Sequence, residues 1–249
     1  MKYYFPASGF GFWYQLGVLE KILEYDSELY GCSSGSIICL MSILKKKDRE
    51  FHIIASLSEK IKNSIYFINI YFYLDELIRE LLKVINSYDK DFVEYKLSKI
   101  YIEMCQIKFH YGFPYLKKVI KNPKNLIELR NYIISSCYVP FFSYYKNPFY
   151  FKLDNSIYID GFFGYSQNLP NNLKKINSYR FATLIPTDYK KSEKLYNLGL
   201  CHKFKKENEN FNLITFIIIS INIIIDLFLL LIETLIDCTH FFTESFLKK

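Results

Sequence analysis

Paired cysteines are missing from this sequence of 249 residues, which is long enough for one large domain. The six cysteines are scattered, without any C-x-x-C pair: Cys32, Cys39, Cys105, Cys137, Cys201 and Cys238. This spacing excludes a zinc ribbon and offers no disulfide framework, so we expect buried or free thiols in a reducing compartment. Met1 to Pro6 also lacks the apolar stretch of a secretory signal. We therefore expect a protein of the cytoplasm or of the cytosolic face of a membrane.

Motifs for nucleotides and nucleic acids are missing as well. Gly9-x-Gly11 lacks the third glycine of a dinucleotide fingerprint, and no G-K-[ST] sequence follows it. The formal net charge of +7 favours anionic partners, but no RNA-binding, zinc-finger or helix-turn-helix pattern accompanies it. A lipid surface therefore fits the charge better. We predict no nucleic-acid partner, no cofactor and no metal.

Glycine is scarce, with nine residues in the whole chain. Seven of the nine lie in three short stretches: Gly9, Gly11 and Gly17, then Gly31 and Gly35, then Gly161 and Gly164. Glycine permits backbone conformations and close approaches that other residues resist. We therefore look for the functional site in these three stretches.

The second stretch, Gly31-Cys32-Ser33-Ser34-Gly35, is a G-x-S-x-G sequence. It lies between a candidate strand, Glu28 to Tyr30, and a candidate helix, Ser34 to Leu44. Strand, sharp turn and helix are the context of a nucleophile elbow, in which the serine hydroxyl is exposed at the turn. The alternative is an ordinary turn flanked by glycine. In the elbow interpretation Ser33 is the nucleophile, and the N-terminus of the helix faces the oxyanion.

The first stretch follows a short apolar strand, Lys2 to Phe5, and precedes a helix from Phe12 to about Glu24. Strand, loop, helix, strand, elbow and helix make a βαβα order, which implies that the two strands pair in parallel. The loop then lies beside Ser33. We expect its backbone N–H groups to stabilise an oxyanion, namely those of Gly9, Phe10 or Gly11 together with that of Ser34.

The third stretch ends a strand, Ser156 to Ile159, with Asp160-Gly161. A carboxylate at the carboxyl end of a strand lies where open α/β sheets keep their active sites, whereas the alternative is an Asx turn or a helix cap. A free aspartate is a weak base, with a pKa of about 3.9. A base role for Asp160 therefore requires burial that raises its pKa.

The rest of the chain is predicted to alternate between helices and strands. We expect helices within Asp48 to Tyr88, strands at Ile100 to Phe109 and Tyr115 to Ile120, a helix at Asn125 to Ser135, strands at Tyr150 to Leu153 and Tyr179 to Ile185, and a helix at Lys191 to Lys205.

Taken in order, these motifs resemble those of the patatin-like phospholipases, in the branch that contains adipose triglyceride lipase, over residues 2–207. The matching segments are Phe5-Pro6-Ala7-Ser8-Gly9-Phe10-Gly11 with Leu16-Gly17-Val18-Leu19, Gly31-Cys32-Ser33-Ser34-Gly35, Ser135-Ser136-Cys137-Tyr138-Val139-Pro140, Tyr158-Ile159-Asp160-Gly161 with Asn168-Leu169-Pro170, and Leu195-Tyr196-Asn197-Leu198-Gly199. The resemblance implies a three-layer α/β/α fold with a mostly parallel central sheet. It also implies a lipid acyl hydrolase, phospholipase A-like or an acylglycerol lipase, with a dyad of Ser33 and Asp160.

Two alternatives stay open. Ala7 and Phe12 stand where the family's oxyanion loop usually has glycine, Phe162 replaces the second glycine after the aspartate, and two extra residues precede Asn168. These departures favour a catalytically inactive, membrane-bound scaffold of the same fold. The second alternative is an α/β-hydrolase triad, in which His202 or His240 follows Asp160.

The C-terminal residues, 208–249, form a separate apolar segment. Phe211 to Ile232 contains a single charge, Asp226, in 22 residues, which is long enough to span a bilayer. A stripe of polar residues continues along one side, so a helix lying in the membrane interface is as well supported as a spanning helix. Both are favoured over a soluble helix that packs its apolar face on the domain or on a partner. Three lysines precede the segment, which would keep residues 1–207 on the cytosolic side: Lys203, Lys205 and Lys206.

Overall fold

The computed structural model of the chain describes residues 1–23, 26–64, 70–140, 149–163, 169–176 and 187–202. Within these ranges seven strands form one sheet, and seven α-helices accompany it. The strands are β1 (Lys2–Phe5), β2 (Glu28–Cys32), β3 (Ile100–His110), β4 (Phe113–Lys121), β5 (Phe151–Leu153), β6 (Ser156–Ile159) and β7 (Lys174–Lys175). The helices are α1 (Phe12–Ile22), α2 (Ser34–Met41), α3 (Phe51–Ser64), α4 (Ile70–Ile85), α5 (Lys90–Leu97), α6 (Leu126–Ser136) and α7 (Tyr189–Leu200).

The sheet is mostly parallel, as the sequence predicts. β7, β1, β2 and β3 pair in parallel, whereas β4 and β6 run antiparallel to β3 and β5 runs antiparallel to β6. Five of the seven described strands therefore point the same way, with β4 and β6 reversed. The βαβ connection from β1 through α1 to β2 gives the parallel pairing expected of such a crossover.

One edge of β3 brings two strand ends together. β4 pairs with Ile102–His110 along one edge, which leaves the other edge to β2 and β6. On that edge Cys32 at the end of β2 lies opposite Glu103, and Ile159 at the end of β6 lies opposite Cys105. The two strands run towards each other and stop on either side of Met104. The residue that follows β2 and the residue that follows β6 therefore lie close together.

The two faces of the sheet are covered differently. All seven described helices contribute buried side chains to one apolar core, which also contains Phe5, Leu29 and Ile102 from the sheet. On the opposite face Tyr4, Tyr30 and Cys32 form a small separate cluster, packed against partly buried apolar side chains: Ala7, Tyr101, Ile120, Leu169 and Leu173. The described residues thus give an α/β fold with helices on one face. The second helical layer of the patatin-like architecture stays a prediction.

Side-chain caps begin three of the helices. Asp89 accepts a hydrogen bond from the backbone N–H of Phe92 at 3.1 Å, where α5 begins. Asn125 and Asp188 cap α6 and α7 in the same way. Such caps satisfy N–H groups that have no partner within a helix. They set the starts of α6 and α7, so α7 begins at Tyr189 rather than at the predicted Lys191.

Some boundaries differ from the sequence-based expectation. β2 continues two residues past Tyr30, α7 ends at Leu200 rather than at Lys205, and α5 was not anticipated. β7 was missed because its two residues are both lysine, a residue without the apolar alternation of a buried strand, and they pair with the backbone of Tyr3 and Tyr4. The predicted strand at Tyr179 to Ile185 and the C-terminal helix lie outside the described residues. Among the helices of the described ranges, none is both long enough and apolar enough to cross a bilayer.

Helices α1 and α7 touch through glycine. A Cβ atom added to Gly199 would overlap the carbonyl oxygen of Tyr14, and one added to Gly17 would overlap that of Tyr196. Both obstacles are backbone atoms, which cannot rotate away as a side chain can. The two helices can therefore pack this closely only while both positions lack side chains.

We predict that Gly199→Ala lowers the free energy of unfolding by about 1–3 kcal/mol, the usual cost of overpacking. In an unhindered helix the same change would stabilise the fold by about 1 kcal/mol, so a loss reports the clash. Urea unfolding measures the effect. Asn197→Ala, at an exposed position of the same helix, is the matched control and should stay within about 0.5 kcal/mol of the wild type. A Gly199→Ala chain as stable as the control would contradict the close contact.

Candidate active site

Ser33 occupies a strained turn between β2 and α2. Its φ of 52° and ψ of −127° lie outside the regions that ordinary residues populate, as a nucleophile elbow requires. A Cβ atom on Gly31 would lie 2.5 Å from the carbonyl oxygen of Gly35, and one on Gly35 would overlap that of Phe5. The two flanking glycines are therefore needed because α2 starts directly against the ends of β1 and β2.

The hydroxyl of Ser33 donates a hydrogen bond to Asp160. The distance from Ser33 Oγ to Asp160 Oδ2 is 2.6 Å, although the residues are 127 positions apart in the chain. The other carboxylate oxygen, Oδ1, accepts the backbone N–H of Phe162 at 2.8 Å. The backbone N–H of Asp160 donates to the carbonyl of Tyr138 at 2.7 Å. The carboxylate is therefore fixed in orientation, with one oxygen directed at the serine.

Burial makes Asp160 a better base than a free aspartate. Loss of solvent raises the pKa of its carboxyl to about 6, against the opposing effects of the Ser33 hydroxyl, the Phe162 N–H and the charge of Lys118. The carboxylate is still ionised at neutral pH, yet it holds a proton more tightly than in water. These are the two properties that the base of a Ser-Asp dyad needs.

Ser136 holds the backbone of Ser33 in place. The N–H of Ser33 donates to Ser136 Oγ at 2.7 Å, and that hydroxyl donates in turn to the carbonyl of Glu103 at 2.6 Å. Ser36 holds the other side of the turn, since both its N–H and its hydroxyl bond to the carbonyl of Ser33. The sequence marked Ser136 only as part of a Ser-x-x-x-Pro segment. No local pattern indicated that its hydroxyl would meet the elbow.

The glycine loop after β1 lies directly beside the elbow, as predicted. The N–H of Ser8 donates to Ser34 Oγ at 2.8 Å, and the hydroxyls of Ser8 and Ser34 are 3.1 Å apart. Gly9 turns the loop with a positive φ of 52°. The buried ring of Phe10 packs edge-on against Tyr73 of α4, with ring centroids 5.1 Å apart. The side chain of Phe10 thus anchors the loop in the helical core.

One of the predicted oxyanion donors already has a partner. The N–H of Gly11 donates to the carbonyl of Ser8 at 2.9 Å, within the turn of the loop itself. Among the described hydrogen bonds, none engages the N–H of Phe10 or of Ser34. The geometry therefore leaves Gly9, Phe10 and Ser34 as the candidate donors and removes Gly11 while this turn is intact.

The thiols near the site are poor competitors for the nucleophile role. The five cysteines of the described ranges are free, and three of them are buried near the site: Cys32 before Ser33, Cys39 in α2 and Cys137 directly after α6. Burial raises the pKa of each of these three thiols well above its ordinary value. They are therefore protonated at neutral pH and behave as apolar packing groups.

No imidazole stands between the serine and the carboxylate in the described part of the chain. His202 Nδ1 lies 2.6 Å from the hydroxyl of Tyr14, where α7 meets α1. The described partners of the Asp160 carboxylate are Ser33 and the N–H of Phe162. His202 is therefore engaged elsewhere, which disfavours a triad that uses it, while His240 lies outside the described residues. A surface cleft lined by Leu23 and Lys99 lies near the opposite end of β2 and holds no part of the dyad.

No protein-family model and no curated protein matches this chain. The patatin-like character is therefore a resemblance of ordered motifs.

We predict that Ser136→Ala lowers the free energy of unfolding by about 1–3 kcal/mol, because it leaves the buried N–H of Ser33 without an acceptor. Ser135→Ala is a matched control, since Ser135 is equally buried but its hydroxyl bonds only to the helix carbonyl of Asn131. Chemical denaturation of both variants gives the comparison. Equal losses of stability in the two variants would show that the hydrogen bond from Ser33 N–H contributes no more than the ordinary hydrogen bond of a buried serine hydroxyl.

The pKa of Asp160 predicts a pH dependence of stability. Because its folded pKa of about 6 lies above the unfolded value of 3.8, the folded state binds the extra proton more tightly, and stability falls as pH rises through this window. The loss amounts to about 3 kcal/mol. Unfolding of the wild type and Asp160→Asn at a series of pH values isolates this effect. Between about pH 4 and pH 7, the free energy of unfolding of the variant relative to that of the wild type should rise by this amount. A difference that stays constant over this range would contradict the raised pKa.

Proposed function

We propose that this chain is a serine hydrolase of carboxylic esters that acts on lipid acyl groups through a dyad of Ser33 and Asp160. The observation that carries the proposal is the direct hydrogen bond of 2.6 Å between Ser33 Oγ and Asp160 Oδ2 at a strained elbow. A purely structural role would not explain this burial, because an ionised carboxylate with a raised pKa lowers the stability of the fold at neutral pH. Beside a strained serine it is suited to accept a proton.

The proposed reaction proceeds through an acyl-enzyme. Ser33 Oγ attacks the ester carbonyl carbon while its proton passes to Asp160, and the resulting oxyanion accepts hydrogen bonds from Ser34 N–H and from Gly9 or Phe10 N–H. The tetrahedral intermediate collapses, the C–O bond to the alcohol breaks, and Asp160 returns the proton to the departing alkoxide. Water then attacks the acyl-enzyme with Asp160 as base, which releases the carboxylic acid and restores Ser33.

Lipid substrates are supported by the surroundings of the dyad. Phe162 and Phe163 lie two and three residues after Asp160 and are 40% and 45% exposed, so exposed apolar rings lie close in sequence to the carboxylate of the dyad. The positive net charge of the chain fits an anionic lipid surface. The resemblance to patatin-like phospholipases points the same way. We place the protein at the cytosolic face of a membrane or on a lipid droplet, with residues 208–249 as the anchor.

A catalytically inactive scaffold remains the second candidate, because one observation favours it. The N–H of Gly11, a predicted oxyanion donor, is bonded within its own loop. If the loop does not open when substrate binds, the oxyanion depends on fewer donors, and each missing donor costs roughly 100-fold or more in turnover. Chemical labelling of the serine separates the two candidates, because a dead site would not be acylated or phosphonylated.

We predict that a fluorophosphonate labels Ser33 in the folded wild type, and that Ser33→Ala abolishes both the label and ester hydrolysis. Asp160→Asn should reduce turnover by roughly 1,000-fold or more, since the base is lost. Rates of the wild type should rise with pH through about 6, as Asp160 ionises. Ser42→Ala is the matched control, because its buried hydroxyl bonds only to the carbonyl of Cys39 in the same helical region. An unlabelled but folded wild type would overturn the hydrolase in favour of the scaffold.

A further inference from the structure

The hairpin of β3 and β4 ends in a group of exposed aromatic side chains. Tyr111 at the turn is 90% exposed and Phe113 is 77% exposed, while Phe109 and Tyr115 are 62% and 45% exposed. Isolated exposed apolar side chains are normal on a protein surface, but a contiguous group at one tip is not. We call these four residues the aromatic tip.

The aromatic tip extends from the edge of the sheet that carries the dyad. β2 and β3 run parallel, and the last residue of β2, Cys32, lies opposite Glu103, so β3 continues from Met104 past the level of Ser33. Beyond Ile107 β3 pairs, among the described residues, only with β4. His110 is six positions further along β3 than Met104, about 20 Å at the rise of an extended strand. The tip therefore projects well beyond the level of the dyad on the same side of the molecule.

Beyond Glu103, the charges along the hairpin are all of one sign. Residues 104–121 contain four lysines and no aspartate or glutamate. One of them, Lys118, turns inward and lies 3.4 Å from the buried carboxylate of Glu103. The register places Lys108 opposite Tyr115 and Gln106 opposite Lys117, so lysines alternate with aromatic rings on one face of the hairpin. The other face carries Phe109 paired with Pro114 and Ile107 paired with Leu116.

We propose that the aromatic tip inserts into the interfacial layer of an anionic lipid surface, with Lys108 and Lys117 on the headgroups. Tyrosine rings favour the boundary between headgroups and acyl chains, phenylalanine rings bury apolar surface there, and nearby lysines bind anionic lipids. A projecting turn exposed on both faces suits penetration of a lipid layer, whereas single-stranded nucleic acid is bound along a groove. The choice of lipid rests on the proposed function, but insertion itself does not require Ser33 chemistry.

The test places a fluorescent reporter at the tip of the full chain through Tyr111→Trp. The natural tryptophan, Trp13, is buried and supplies a constant background. We expect vesicles of phosphatidylcholine and phosphatidylserine that carry brominated acyl chains to quench the new tryptophan, and phosphatidylcholine vesicles alone to quench it less. Tyr95→Trp is the control, because Tyr95 is exposed on α5, which precedes the opposite end of β3. It should not be quenched even if another segment anchors the protein.

Three outcomes would overturn the proposal. The first is no quenching of the Tyr111→Trp chain by either vesicle. The second is a tryptophan shielded from acrylamide before lipid is added, which would mean that the tip is covered by another part of the chain or by a second copy. The third is a response to single-stranded oligonucleotide but not to vesicles. The same measurement in the Ser33→Ala chain separates this proposal from the hydrolase, because quenching there supports insertion whether or not the enzyme is active.

The lysines provide a second, independent measurement. The second experiment adds Lys108→Gln and Lys117→Gln to the Tyr111→Trp chain. Each lysine near an anionic surface contributes about 1 kcal/mol to binding, so the loss of both should raise the lipid concentration for half-maximal quenching by roughly 30-fold. Lys60→Gln with Lys90→Gln removes the same net charge from exposed positions on α3 and α5 and is the matched control. Equal effects of the two pairs would show that only net charge matters and would contradict a lipid contact at the hairpin.

Discussion

The meeting of β2 and β6 along one edge of β3 is the constraint on which the site depends. Each strand is held in register by backbone hydrogen bonds to β3, and they stop on either side of Met104. Ser33 and Asp160 are the next residues, so their contact follows from the sheet and not from flexible loops. A shift of either strand by one residue would turn its side chains to the opposite face and separate the pair.

Small polar side chains stabilise this meeting point where larger ones would not fit. Ser8, Ser34, Ser36 and Ser136 each bond to a backbone group or hydroxyl of the elbow or its neighbouring loop. Gly161, next to Asp160, leaves room for the sulfur of Cys32, which would lie 2.8 Å from an added Cβ atom. Strain at a positive φ persists only when the surroundings determine the conformation. This serine network fixes the conformation of the elbow, while the burial of Asp160 raises the pKa of its carboxyl.

The sheet links the site to the hairpin through a buried charge. Glu103 accepts the hydroxyl of Tyr4 at 2.5 Å and pairs with Lys118 of β4, while its backbone carbonyl accepts the hydroxyl of Ser136. A buried carboxylate is tolerated only with such partners. The base of the hairpin is therefore fixed by the same residue that supports the elbow. This rigid base gives the projecting aromatic tip a defined direction relative to the dyad.

The sequence by itself determined what local spacing can encode: the G-x-S-x-G elbow, the glycine loop before α1, most helices and the mostly parallel order of the first strands. It also marked Ser33 and Asp160, since each follows a strand at a glycine. Only the tertiary structure decided that the two side chains touch, that Ser136 accepts the N–H of Ser33, that Gly11 N–H is already bonded, and that β7 joins the sheet beside β1. These facts depend on pairing between residues far apart in the chain. Periodicity reports the face a side chain takes within its own element, but it carries no information about which distant backbone will lie opposite.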